Sequence, residues 1–446
     1  MLSRKLVLIV IDGLTPAVLE AAVERQDMPA LRFLAEQGEY RRALTTFPSL
    51  TPVCLSSLVT GAHPDVHGIP HLVWFHRQEQ RLVEYGSSFG AVRAAGTTRA
   101  LRDAVFNMNE QHLSRSAVTL FESLEGAGLV TAAVNMVCYR GPAKHAATVP
   151  GLGRPAFGPS RFFYYNLFES DVTGAPLAVR TRARGSVDEY ARVVGRWLVT
   201  RDGFDFLVFY LPDYDFASHA AGPEAAHGAL ARVDRAIGSL LDAAGGSDEF
   251  LERYAVLLCS DHGQTRVERA VRLEDAFADF RLFRPGNGRG AELAVTASNR
   301  AGMVYRLDCE ATPRQLAGRL DGEPHVVLFR ENGQAVARRS GAELRFAPKG
   351  EGWQTSGDAE ALPQSALERA WCALENPNAG DLIVSAAPGA EFADLGGRHH
   401  VGGGSHGSLE RGDSEVPMLA VGLDAPAPQR LVDVAPLVRS HFGVDA

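Results

Sequence analysis

Thr51 stands in Phe47-Pro48-Ser49-Leu50-Thr51-Pro52-Val53-Cys54, where Pro52 suits the first position of a helix and Thr51 the residue that caps it. Gly61 suits the stop of that helix. An isolated Thr-Pro is most often a plain cap. The chemical alternative is a nucleophilic hydroxyl, because unpaired amides and the positive dipole end of a helix favour an alkoxide or a phosphate. Asp215 and His219 are four residues apart, so on one helical turn both reach the same face and can share a metal ion. Asp213 is a rival ligand or a supporting partner. Asp261 and His262 are adjacent and followed by Gly263, so a tight turn can direct both into one pocket. Asp12 follows an apolar run, and His406 lies in Gly402-Gly403-Gly404-Ser405-His406-Gly407, with His399 and His400 as close competitors. Oxygen and imidazole donors without a thiolate suit zinc, and also manganese.

These residues need strand ends to hold them. Short apolar runs occur at 6–11, 129–134, 204–211, 254–259, 382–385 and 418–421. Such runs suit strands buried on both faces of a parallel sheet. Stretches 31–37, 117–127, 187–199 and 228–244 repeat apolar residues at helical spacing between them. The alternation predicts an α/β fold: a doubly wound, mostly parallel sheet with helices on both faces. Three runs end in acid, at Asp12, at Asp213 and Asp215, and at Asp261, where open parallel sheets bind their ligands. From 265 to 379 glycine and proline rise and apolar runs shorten, which predicts a small inserted α+β domain on a core of 1–264 and 380–446. Residues 381–385 are expected to return to the main sheet. Residues 70–99 read as a surface loop.

The whole chain has 446 residues and a net charge of −8, so it carries no basic field for a nucleic-acid polymer. Its cysteines, Cys54, Cys138, Cys259, Cys309 and Cys372, are odd in number and contain no CxxC pair, which argues against a disulfide framework. The apolar run after Arg4 and Lys5 stops at Asp12, short of the roughly 7–15 residues of a secretory segment. No run approaches the roughly 20 residues of a membrane span. A cytoplasmic location without membrane partners is the expectation.

Taken in order, Val7-Leu8-Ile9-Val10-Ile11-Asp12-Gly13, Phe47 to Thr51, Ser57 to Pro64 with His67-Gly68-Ile69, Asp215 to His219 with Gly222-Pro223, Ser260 to Gly263, and Ser405-His406-Gly407 form a set. The set resembles the alkaline phosphatase superfamily, most closely its type I phosphodiesterase/nucleotide pyrophosphatase branch. The resemblance spans Leu6 to His406 and is strong at the motifs. It implies two zinc ions, with manganese as the substitute. Asp215, His219 and His406 match one metal site; Asp12, Asp261 and His262 match the other, with Thr51 as ligand and nucleophile. Two divalent cations against three aspartates leave one net positive charge for an anionic phosphate. The implied reaction hydrolyses a small-molecule phosphodiester or nucleotide pyrophosphate through a phospho-threonine intermediate.

Other positions are expected to touch substrate. Cys54 stands where the resemblance implies an asparagine holding a phosphate oxygen, and a thiol is a weak donor, so helix amides are the alternative. Ser56 and Leu58 exclude a sulfatase-type cysteine nucleophile, which wants proline and arginine there. Tyr210 precedes the aspartate motif as in relatives, and Arg161, in Arg161-Phe162-Phe163-Tyr164-Tyr165, and Asn135 are further candidates. The rival activities are a phosphomonoesterase and a phosphonate hydrolase of the phosphonoacetate type, with a phosphoglycerate-mutase-like enzyme behind them. A non-catalytic metal-binding relative is the rival of another class.

Overall fold

The computed structural model describes residues 4–149, 153–171 and 186–444. Its largest sheet has eight strands. Lys5–Ile11 lies at the centre, parallel to Phe206–Leu211 on one side and Tyr254–Cys259 on the other. Thr131–Val134 and then Arg161–Tyr164 extend it in the same direction, and Phe168–Ser170 closes that edge antiparallel. At the other edge Glu415–Val421 runs antiparallel to Tyr254–Cys259 and is followed by Glu39–Leu44.

Side chains of a strand alternate between faces, and here both faces are buried. Val7, Ile9 and Ile11 enter one core with helices Pro16–Arg25, Pro29–Gln37, Val187–Thr200 and His227–Ala243. Leu6, Leu8 and Val10 enter the other, with Thr51–Thr60, Leu120–Gly126 and Val434–His441. The doubly wound, mostly parallel sheet with helices on both faces is therefore present.

A second, seven-stranded sheet is antiparallel throughout. Two sequence expectations change here. Leu382–Ser385 does not return to the main sheet; it pairs between Ala301–Arg306 and Val326–Glu331 in the second one. A four-residue apolar strand reads alike in either sheet, and only its distant partners decide. Residues 70–99 are not a surface loop. They contain the hairpin Val73–His76 with Arg81–Glu84, whose Trp74, Phe75 and Val83 are buried in the core of the second sheet. Burying large aromatic area there outweighs the local glycines that suggested a loop. Among the described residues, no helix is long and apolar enough to cross a membrane.

Candidate metal centre

The carboxyl ends of the central strands converge on one point. Asp12 directly follows Lys5–Ile11, and Asp261 and His262 follow Tyr254–Cys259. Phe206–Leu211 leads into helix Asp213–Ala221, so Asp215 and His219 share a face, with His219 Nε2 3.2 Å from Asp215 Oδ2. His406 arrives by a short antiparallel ladder in which Gly404–Ser405 pairs with Thr265–Arg266, just beyond His262. Gly403 is required there, because any Cβ would collide with the carbonyl of His219.

Thr51 opens helix Thr51–Thr60, and the N-cap is Leu50, which offers no side-chain cap. The cap thus sits one residue earlier than the Thr-Pro pattern predicts. The Thr51 hydroxyl instead lies 3.1 Å from His262 Nε2. That nitrogen is also 3.3 Å from Asp12 Oδ1 and 3.5 Å from Asp261 Oδ2. His406 Nε2 is 3.8 Å from Asp215 Oδ1, and the His262 and His406 rings stack at 3.6 Å.

Each imidazole has its Nδ1 against a backbone carbonyl: His219 to Gly404 at 2.8 Å, His262 to Gly263 at 3.1 Å and His406 to Ser49 at 2.8 Å. A carbonyl only accepts, so the proton is on Nδ1 and the lone pair on Nε2 faces the acids. The carboxylates show the complementary deficit. Asp12 Oδ1 and Asp261 Oδ2 are buried without a hydrogen-bond donor. Burial, with the charges of Asp261 and Asp215, pushes Asp12 well above the ordinary carboxylate range. Burial also works to raise Asp215, yet His219, which takes up a proton beside it when no cation is bound, holds it below that range. Burial and then His262 push His406 well below the ordinary imidazole value, so it stays neutral. Buried carboxylate oxygens without donors, facing imidazole lone pairs, fit cations. Two groups meet the spacing for a shared ion: Asp12 with Asp261 and His262, and Asp215 with His262 and His406.

Residues 6–409 match the family of type I phosphodiesterases and nucleotide pyrophosphatases. The chain belongs to that family. All seven site residues fall inside the match, and the family is metal-dependent. Among curated relatives, a 2,3-bisphosphoglycerate-independent phosphoglycerate mutase of Wolinella succinogenes is 40% identical over 72 residues, 16% of this chain and 14% of that protein. Human ectonucleotide pyrophosphatase/phosphodiesterase family member 7 is 22% identical over 250 residues, 54% of this chain and 45% of that protein. The matches thus span less than half the length of either relative. Two solved structures share the fold. Phosphonoacetate hydrolase from Sinorhizobium meliloti 1021, in complex with phosphonoformate, superposes with a TM-score of 0.63 at 18% identity, covering 100% of this chain and 96% of that one. Murine ectonucleotide pyrophosphatase/phosphodiesterase 5 gives 0.62 at 14% identity, covering 99% and 96%.

In this family member the candidate site floors a cleft of about 420 Å³, with Thr51, Asp12, Asp215, His219 and His406 in its lining. Tyr210 joins them and donates its hydroxyl hydrogen to Asp12 Oδ2. Tyr164, Tyr165, Phe216 and His400 form walls. Arg161 does not reach the cleft: it begins its strand, at the opposite edge of the sheet, and donates to the Gly203 carbonyl. Cys54 points inward from its helix, fully buried, and accepts from the Thr45 hydroxyl at 3.3 Å. Of the amides that could substitute, those of Val53 and Cys54 both donate to Leu50 O at 2.9 Å, and Pro52 has none, which leaves the Thr51 amide at the start of the helix. Asp213 is no ligand; it accepts from the Val187 and Asp188 amides and anchors helix Val187–Thr200. Asn135 braces the turn at Tyr165. His399 is exposed, and His400 stacks on His219 at 4.1 Å with its Nδ1 on Glu391.

Two site residues lie outside the sequence motifs. Gln264 donates to Asp215 Oδ1 and accepts from Ser218, and its place beside Asp261-His262-Gly263 was a usable signal. Asn299 comes from the second sheet, and nothing local marks it.

Proposed function

We propose that this protein hydrolyses small phosphodiesters or nucleotide pyrophosphates with Thr51 as nucleophile. The observation that carries the reading is the position of Thr51 Oγ1, 3.1 Å from His262 Nε2 and uncommitted to capping its own helix. Asp215, His219 and His406 would hold one divalent cation, and Asp12, Asp261, His262 and Thr51 a second. Zinc in those places would supply Lewis acidity to the attacking and leaving oxygens. His262 faces both the second acidic group and Asp215, so it keeps the two halves of the site in one register. Thr51 attacks phosphorus, the leaving alcohol or phosphate departs opposite to it, and water then cleaves the phospho-threonine. Tyr210 holds Asp12 in orientation, and Gln264 does the same for Asp215.

The test is an activity profile of zinc-loaded protein across diesters, dinucleotides, monoesters and phosphonates, with elemental analysis of the same preparation. About two zinc ions per chain and turnover of diesters or dinucleotides are expected. Full activity with neither metal bound would overturn the reading, and a preference for phosphonates would reassign the substrate.

A further inference from the structure

We infer that Asn299 is a substrate-positioning residue, delivered by the second sheet, whose amide donates a hydrogen bond to an oxygen of the reacting phosphoryl group. The inference rests on the proposed phosphoester reading of the same site.

Asn299 sits in the two-residue turn between Leu293–Ser298 and Ala301–Arg306, whose ladder closes at Ser298 and Ala301. Its φ of +56° is in the left-handed region, which asparagine tolerates better than most residues. The turn is pinned to the catalytic core from several directions. The Arg300 amide donates to His406 O at 2.7 Å, and the Phe392 amide donates to Asn299 O at 2.8 Å. Arg300, fully buried, pairs with the equally buried Asp413 at 2.9 Å. The side chain of Asn299 is nearly buried, lines the cleft and lies with Nδ2 2.9 Å from His406 Nε2. The Ser298 hydroxyl donates to Asn299 Oδ1 at 3.4 Å, which keeps the NH₂ group on the cleft side.

That contact has a consequence for binding. His406 Nδ1 is already taken by Ser49 O, so Nε2 carries the one lone pair that both Asn299 and a cation can use. A cation on Nε2 leaves the amide without an acceptor, and a buried donor left unpaired is costly. The acceptor that enters with the substrate is a phosphoryl oxygen. Such a donor adds to the Thr51 amide at the start of its helix, where little else is on offer. Cys54 is turned into the core, and the Val53 and Cys54 amides are spent on Leu50.

A glycine or aspartate at 299 keeps the left-handed turn, so each variant changes the side chain without forcing the backbone. The experiment compares wild type, Asn299→Gly and Asn299→Asp by zinc content, melting temperature, kcat and KM on an aryl phosphodiester, and the Kd of inorganic phosphate by calorimetry on zinc-loaded protein. Expected are unchanged zinc and melting temperature, with kcat/KM down about 10- to 100-fold in Asn299→Gly, mainly in kcat. Phosphate should bind about tenfold more weakly, and Asn299→Asp should be worse in both because its charge repels the anion. Phosphate affinity and kcat/KM within threefold of wild type, with zinc retained, would overturn the inference while leaving the proposed function intact. Loss of zinc from Asn299→Gly would also overturn it, by showing that Asn299 serves only to hold His406. A wild type that binds no metal and cleaves no phosphoester would bring down the function and the inference together.

Discussion

Thr51 and His262 are 211 residues apart in the chain, yet Oγ1 of one lies 3.1 Å from Nε2 of the other. Two independent structures produce the contact: a helix whose cap is its preceding residue, and a strand that ends at Cys259 just before an acid and an imidazole. The His262 ring is held from behind by Gly263 O, so its proton is on the far nitrogen.

Because Thr51 does not cap its helix, removing its hydroxyl should leave the fold untouched. Thr51→Ala is expected to melt within about 2 °C of wild type and to retain both metals. Turnover of an aryl phosphodiester should fall by a factor on the order of 10³ or more, as expected for loss of a nucleophile. Thermal melting, elemental analysis and a single-substrate assay on one preparation suffice. Activity within tenfold of wild type would mean that water, not Thr51, attacks.

Asp12 offers a test of the electrostatics without turnover. Its Oδ1 is buried with no donor and faces two other acids, so without cations the group is destabilising. Titrating zinc into chelated wild-type protein should raise the melting temperature in a concentration-dependent way. Asp12→Asn keeps an acceptor for Tyr210 and removes the repulsion. The chelated variant should therefore melt about 2–4 °C above chelated wild type, while zinc should stabilise it less. If the chelated variant melts lower, the crowding of charge is not what limits the metal-free state.

Much of this site was legible because chemistry and fold leave marks at the same places. The run Leu6 to Ile11 ends at Asp12 and the run Tyr254 to Cys259 ends near Asp261, and both ends meet at the carboxyl edge of one sheet. The spacing of Asp215 and His219 needed only one helical turn. His406 could not be separated from His399 and His400 by composition, since its placement depends on the ladder of Gly404–Ser405 with Thr265–Arg266. Asn299 was invisible for a deeper reason. Its role follows from a hairpin register and from a buried pair, Arg300 with Asp413, that join segments more than a hundred residues apart. Arg161 misled because a strand's first residue and its last point to opposite edges of the sheet, and only Tyr164 and Tyr165 reach the cleft.

Glu84 should give the protein a pH dependence separable from that of the candidate metal site. The carboxylate is fully buried and accepts from the Gly86 and Ser87 amides at 2.7 and 2.6 Å, ordering a loop that lines the cleft. Burial pushes its carboxyl up from 4.5 to about 7, against those hydrogen bonds and with a small push from Asp394. A raised carboxyl binds its proton more tightly folded than unfolded, so its stabilising contribution is complete below about pH 4.5 and is lost as pH rises through about 7. Glu84→Gln has no such proton. In urea unfolding, the stability difference between pH 5 and pH 8 should shrink by roughly 2–3 kcal/mol in the variant. An unchanged difference would mean that Glu84 ionises as an exposed acid does.

Substrate charge gives the sharpest division among rival activities. A monoester dianion needs more compensation than the single net positive charge that the two proposed divalent ions would leave against Asp12, Asp215 and Asp261. An arginine beside the nucleophile would supply it, and the arginines nearest in sequence do not. Arg41 pairs with Glu39, Arg42 with Glu20 at 2.6 Å, and Arg77 with Asp381 at 2.9 Å. Among the described residues the arginine that lines the cleft is Arg398, on an exposed loop beside His400. A diester carries one negative charge, which the site matches, and its second ester group needs the room that the cleft of about 420 Å³ provides. We expect kcat/KM for an aryl phosphodiester to exceed that for the matching aryl monoester at least about tenfold, roughly 1.4 kcal/mol in transition-state stabilisation. Both substrates measured at one pH and one zinc concentration decide it. A monoester preference would remove the diesterase assignment, and it would make Arg398 the first residue to replace, since no other guanidinium among the described residues lines the cleft.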